Sequence, residues 1–201
     1  MSGPSRPTAQ PPMSEEQLRA VTVGELEPLS GRVLLVEYDP DWPAQFLREA
    51  ERIRSALGAR ALSVEHIGST SVPGLAAKPV IDVLLVVRDS ADEAGYVPAL
   101  EGAGYVLRIR EPSWHEHRLL KRSNPEINLH VFSADCPEIG RVLKFRDRLR
   151  NNPADRELYA STKRDLARRA WKFMQNYADA KTAVIEEILG RAHDETSRSA
   201  P

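Results

Sequence analysis

A single cysteine, Cys136, stands in 201 residues. No intramolecular disulfide can therefore form, and no cysteine-based zinc site is available. No apolar run approaches the length needed to cross a bilayer, and the N-terminus lacks the apolar core of a signal peptide; the cytoplasm is the expected location. Net charge is missing as well. The formal value is −1, so whole-protein electrostatics select no partner. No helix-turn-helix or aromatic-basic ribbon marks the chain for DNA, and nucleic acid is not an expected partner. No internal repeat is found, and the length suits one domain plus a tail.

The charge that is present is unevenly spread. From Arg141 to Lys172 there are 11 Lys+Arg against 4 Asp+Glu. Such a segment reads either as a solvated helix face or as a basic wall for a polyphosphate or another anion. The most informative stretch lies earlier, at Glu65-His-Ile-Gly-Ser-Thr-Ser-Val-Pro-Gly-Leu-Ala-Ala-Lys-Pro-Val-Ile-Asp82. An apolar strand runs into a Gly-Ser-Thr turn, then a small-residue loop with one lysine, then a second strand with one acid. The turn at Gly68, Ser69 and Thr70 offers backbone N–H groups and hydroxyls to an anion. Lys78 adds a cation, and Asp82 adds a metal ligand or base. The glycine spacing is not that of a Walker loop, because no Gly-Lys-Ser/Thr follows.

Residues 1–13 carry several prolines among small polar residues and are expected to be disordered. A short helical extension over 14–30 opens with the capping-box pattern Ser14-Glu-Glu-Gln17. Residues 31–135 read as an α/β core. Strands are expected at Val33–Glu37, Ala61–Ile67, Val80–Val87 and Gly104–Arg110, with a hairpin of His117–Arg122 and Glu126–Ser133. A helix from Asp41 to Gly58 carries Phe46, Ala50, Ile53 and Leu57 as one apolar stripe. Residues 136–192 are expected to be helical, broken near Asn151-Asn-Pro153, and 193–201 to be loose. The class is α+β with α/β character, a mixed sheet plus a C-terminal helical subdomain.

The words Tyr38-Asp39-Pro40-Asp41-Trp42, His66 through Pro79, Asn128-Leu-His-Val131, Phe145-Arg-Asp-Arg-Leu-Arg150 and Tyr177-Ala-Asp-Ala-Lys181 stand in order along the chain. Together they resemble the GrpB family, whose fold is similar to the nucleotidyltransferase superfamily. The resemblance covers roughly Val33 to Ala192. It implies that the Gly-Ser turn holds nucleotide phosphates against the sheet. It also implies paired acids at alternate strand positions holding Mg²⁺ for a nucleoside triphosphate such as ATP. Here Asp82 is followed two positions later by Leu84, so the pair is incomplete; Glu65 on the neighbouring strand is a candidate second metal ligand. His130, in alternation with Glu126 and Asn128, is a candidate general base.

On the C-terminal helices, Arg146 and Arg150 share a face, as do Tyr159 with Lys163 and Tyr177 with Lys181. Arg146, Lys163, Tyr177 and Lys181 are candidate ligand contacts; the alternative is that these stems pack while their charges meet water. Arg118 and Lys121 face opposite ways. His66, His115, His117 and His130 could gather round a transition metal, or could be separately satisfied. Phe145, Leu149, Trp171, Ile188 and Cys136 read as packing residues. Three functions are consistent with these residues. The first is transfer of a nucleotidyl group to a small molecule or protein. The second is a phosphate-binding accessory module without transfer chemistry, a reading that a likeness to the tail of some dephospho-coenzyme A kinases suggests. The third is a different small-molecule condensation in the same cleft. The sequence leaves oligomeric state open.

Overall fold

The computed structural model describes residues 12–199, with side chains through His193. The tail expected over 1–13 lies outside the described residues except at its end. There Met13 donates its N–H to Asp179 and accepts from the Asn176 amide. Helix α1 (Glu15–Val21) opens with the expected capping box between Ser14 and Gln17. It buries Leu18 and lies along the edge strand β3 (Val106–Glu111), where Val23 donates to the Arg108 carbonyl.

Five strands form one mixed sheet in the order β1-β2-β5-β4-β3, with β1 (Ser63–Ile67), β2 (Ile81–Val87), β4 (His117–Arg122) and β5 (Ile127–Ser133). The central pair β2 and β5 is parallel, and the remaining pairs are antiparallel. Alternation then sorts the side chains into two faces. Val64, Val83, Leu85, Val87, Leu129, Val131 and Leu120 point one way. They join Trp42, Ala50, Ile53 and Leu57 of α2 (Trp42–Leu57) and Val97 and Leu100 of α3 (Val97–Gly102) in the largest core cluster. Helix α2 ends at Gly58, whose φ of +57° an L side chain rarely adopts.

The opposite face is divided. At one end Ile67, Leu84, Val86 and Phe132 meet Ile139, Val142 and Leu143 of α4 (Pro137–Asn151). At the other end Asp82, Asn128 and Lys121 stand in register across β2, β5 and β4. Helices α5 (Pro153–Ala167), α6 (Met174–Asp179) and α7 (Thr182–Ser199) complete that side. Leu149, Tyr159, Ala160, Val184 and Ile188 from three of these helices close over Val72 and Leu75 of the loop after β1. The loop is thereby clamped between sheet and helices.

Two expectations are corrected. Residues 33–37 make a single bridge, Val36 to Ala77, and not a strand. The partner segment runs straight into Pro79, which has no N–H with which to extend a ladder. The loose end expected over 193–201 is helical from 193 to 199, where α7 continues to Ser199, and its last two residues lie outside the described ones.

His66 shows what the alternation decides. It turns from its neighbour Glu65 toward α2, where it stacks on Phe46 at a ring-centroid distance of 4.7 Å and shares a 3.1 Å hydrogen bond with Thr70. Burial lowers its pKa to about 4 from 6.5, against the pull of Asp82. The unfolded chain therefore takes up this proton before the folded one does. Stability from His66 is complete above about pH 6.5 and is lost as pH falls toward about 4. The loss amounts to roughly 3 kcal/mol, at about 1.4 kcal/mol per pKa unit. Denaturant unfolding across this range should show that decline in wild type and a smaller one in His66→Gln.

Candidate functional site

The cleft is built around a close approach between Gly68 and Asp82. Gly68 follows β1 with φ +68° and ψ −172°, a conformation essentially confined to glycine. A Cβ on Gly68 would stand 2.3 Å from Asp82 Oδ2. Glycine is therefore required twice, by its dihedrals and by the carboxylate lying against it. The turn that follows closes on itself: Ser71 donates its N–H and its hydroxyl to the Gly68 carbonyl, the latter at 2.6 Å. Asp82 Oδ1 accepts the Asn128 amide at 2.8 Å. Burial alone would raise the Asp82 carboxyl, but His130 when protonated, the Asn128 amide and the Lys78 charge outweigh it and hold the pKa below the usual value.

Three lysines meet this one carboxylate in a cavity of about 50 Å³. Its lining includes Ser69, Thr70, Lys78, Asp82, Asn128, Lys163, Tyr177 and Lys181. Lys163 comes from α5 and is 2% exposed; its ammonium donates to Ser69 Oγ at 3.0 Å and to the Ala76 carbonyl at 2.5 Å. Lys181, just before α7, lies 4.8 Å from the centroid of the Tyr177 ring. Lys78 donates to the Met174 sulfur at 3.1 Å. Burial lowers all three pKa values, Lys163 to about 7, and Lys181 adds repulsion to both of the others. Among the described residues, Tyr177 Oη is the buried side-chain polar atom left without a partner. Such an orphan is costly unless a ligand or water meets it.

Beside the cavity a chain of polar contacts crosses the sheet. Glu111 Oε2 lies 2.6 Å from His117 Nδ1, and His117 Nε2 lies 3.1 Å from His130 Nδ1. His130 Nε2 then faces Asp82 Oδ1 at 3.8 Å. His117 is buried and stacked on Phe132, and burial lowers its pKa despite Glu111. Asn128 and His130 were legible as one face of a strand. Glu111 was missed, because only the β3–β4 register sets it opposite His117.

Other sequence candidates are not brought to the cavity. Arg146 donates to Glu65 at 2.9 Å, to the His66 carbonyl and to Asp147. Arg150 donates to the Ser71 carbonyl, bracing the turn from behind. Arg118 turns to the opposite face and pairs with Glu93, whereas Lys121 keeps the cleft side. Glu65 shares a sheet face with Asp82 but is held by Arg146. The four histidines do not gather. Among the described residues no group of three or more His, Cys, Asp or Glu side chains is placed to share a metal ion. Magnesium favours carboxylates supplemented by substrate phosphates. Here one carboxylate stands among three ammonium groups, and the alternate position, Leu84, is fully buried in hydrocarbon. This donor set does not fit a dedicated magnesium site.

Gly68→Ala should lower stability by about 1–3 kcal/mol from backbone strain, plus the clash with Asp82, as read from denaturant midpoints. Adding Asp82→Ala should recover the clash with the carboxylate and leave the strain and the 2.9 Å approach of the residue 82 Cβ. Equal losses in the single and double variants would mean that the carboxylate does not lie against the turn.

The chain has relatives in both sequence and fold. Residues 32–191 match the family described as GrpB protein. A UPF0157 protein of Halalkalibacterium halodurans is 59% identical over 182 residues, covering 90% of this chain and 93% of that one. The crystal structure of conserved protein GrpB from Enterococcus faecalis superimposes with a TM-score of 0.71 at 35% identity, covering 81% of this chain and 99% of that chain. A dephospho-CoA kinase of Mycolicibacterium paratuberculosis is 32% identical over 189 residues, but this chain spans only 46% of it. No helix among the described residues is long and apolar enough to cross a membrane. The chain belongs to the GrpB family.

Proposed function

We propose that the cleft binds the phosphates of a nucleoside triphosphate such as ATP and transfers its nucleotidyl group to a small protic acceptor. One observation carries this reading: the buried Lys163 and the half-buried Lys78 and Lys181 share a cavity with a single carboxylate, and burial lowers the pKa of each. Buried ammonium groups are costly without a counter-charge, and their lowered pKa values are the sign of that cost. The cavity has room for more than a single water, since about 10–15 Å³ of such volume holds one. The pyrophosphate end of the ligand would sit on Ser69, Thr70, Lys78, Lys163 and Lys181, with Tyr177 Oη as a further donor. The reacting phosphorus would lie at the mouth, beside Asp82 and His130. Transfer of this kind asks mainly for positioning and charge stabilisation. In this reading the lysines supply the positive charge that magnesium supplies elsewhere.

The absence of a second acid at Leu84 favours a second reading, a phosphate-binding module without turnover. Both readings place the anion on the lysines, and pyrophosphate release separates them.

Calorimetric titration with ATP tests the anion site. Binding should persist without Mg²⁺, weaken at least tenfold in Lys163→Met, and tighten in Asp82→Asn, which removes the one negative charge facing the ligand. Binding that requires Mg²⁺ and is abolished by Asp82→Asn would show instead that a metal held by the carboxylate organises the ligand. Pyrophosphate release with a panel of alcohols and amines would then establish transfer, and its absence would favour the module.

A further inference from the structure

We infer that Glu111 and His117 act as positioning residues that lock His130 in the Nδ1–H tautomer, so that its Nε2 lone pair faces Asp82 and receives the proton of an acceptor O–H or N–H bound between them. This deepens the proposed transfer reaction and, for its catalytic meaning, rests on it.

The assignment follows from donor and acceptor counting. Glu111 Oε2, 2.6 Å from His117 Nδ1, accepts the proton on that nitrogen. A neutral His117 then has only a lone pair on Nε2. His117 is 4% exposed, and its burial favours the neutral ring. That lone pair, 3.1 Å from His130 Nδ1, needs the proton on His130 Nδ1. Asp82 competes for the opposite tautomer, but Oδ1 stands 3.8 Å from His130 Nε2, beyond hydrogen-bond reach. The nearer contact decides.

The result is a lone pair facing a carboxylate oxygen across a gap too long for one hydrogen bond. A donor inserted there satisfies both: an alcohol or amine gives its reacting proton to Nε2, while its second N–H or a neighbouring hydroxyl meets Asp82. This chemistry names the acceptor class, a neutral or cationic O–H or N–H compound and not a second carboxylate. In the transfer step the acceptor heteroatom bonds to the α-phosphorus, the bond from that phosphorus to the bridging oxygen breaks, and pyrophosphate leaves with the bonding electrons. The acceptor proton passes to His130 Nε2 and from there to solvent. Second-position partners of this kind fix a histidine's tautomer and orientation.

The ligand-free protein is enough for the test. Long-range ¹H–¹⁵N spectra, recorded well above the ordinary imidazole pKa, report which ring nitrogen of His130 is protonated. Free neutral histidine favours Nε2–H, so a dominant Nδ1–H form in wild type would be the imprint of the relay. Glu111→Ala and His117→Phe, the latter keeping a ring on Phe132, should each shift His130 toward Nε2–H. Carbethoxylation of His130 by diethyl pyrocarbonate should slow several-fold in both. A dominant Nε2–H form in wild type overturns the inference, even if both variants fail to fold. An unchanged tautomer in folded variants overturns the role of Glu111 and His117. Loss of ATP binding in the preceding titration would sink the transfer reaction and leave the tautomer result standing, so the two failures are distinguishable.

Discussion

Positive charge without enough negative charge beside it is the constraint on which this cleft depends. Lys78, Lys163 and Lys181 line one small cavity with Asp82, and each has its pKa lowered by burial. The fold places them there by independent routes: a loop tied to Val36, the middle of α5, and the residue before α7. The apolar contacts of Leu149, Tyr159 and Ile188 with Val72 and Leu75 hold these routes together. Burial of each such side chain contributes about 1.5–3 kcal/mol, which lets α5 carry the buried Lys163 against its electrostatic cost. In the proposed reading a bound anion relieves that cost, so its affinity grows with the charge the fold leaves unbalanced.

The sheet makes the arrangement possible by having one committed face and one divided face. Val83, Leu85, Leu129 and Val131 give α2 an apolar bed. Their alternating neighbours Asp82, Asn128 and His130 are thereby forced to the other side. Gly68 lets the turn lie directly against Asp82, where any side chain would collide. The carboxylate is fixed by its surroundings and free of any direct ion pair with the three lysines.

Much of this was legible in the chain. The Glu65–Asp82 stretch named the turn, Lys78 and Asp82, and the four-residue spacing of Tyr159 with Lys163 and Tyr177 with Lys181 named two ring–cation pairs, now seen at 5.0 and 4.8 Å. The hairpin and the helix break before Pro153 also followed from local rules. What local rules could not supply was direction at a distance. Arg146 and Lys163 look alike in sequence, yet Arg146 meets Glu65 and Asp147, and Lys163 meets the turn. Glu111 became visible only when strand register set it beside His117. The expected strand at 33–37 failed because Pro79 ends its partner, a constraint belonging to a segment forty residues away in sequence.

Titration of the lysine ε-amines by NMR, in isotopically labelled protein with and without inorganic pyrophosphate, tests the charge balance most directly. Lys163 should titrate at about 7 in the free protein and at distinctly higher pH once pyrophosphate is bound. A Lys163 that titrates at the ordinary lysine value of about 10.4 and does not respond to pyrophosphate would contradict it.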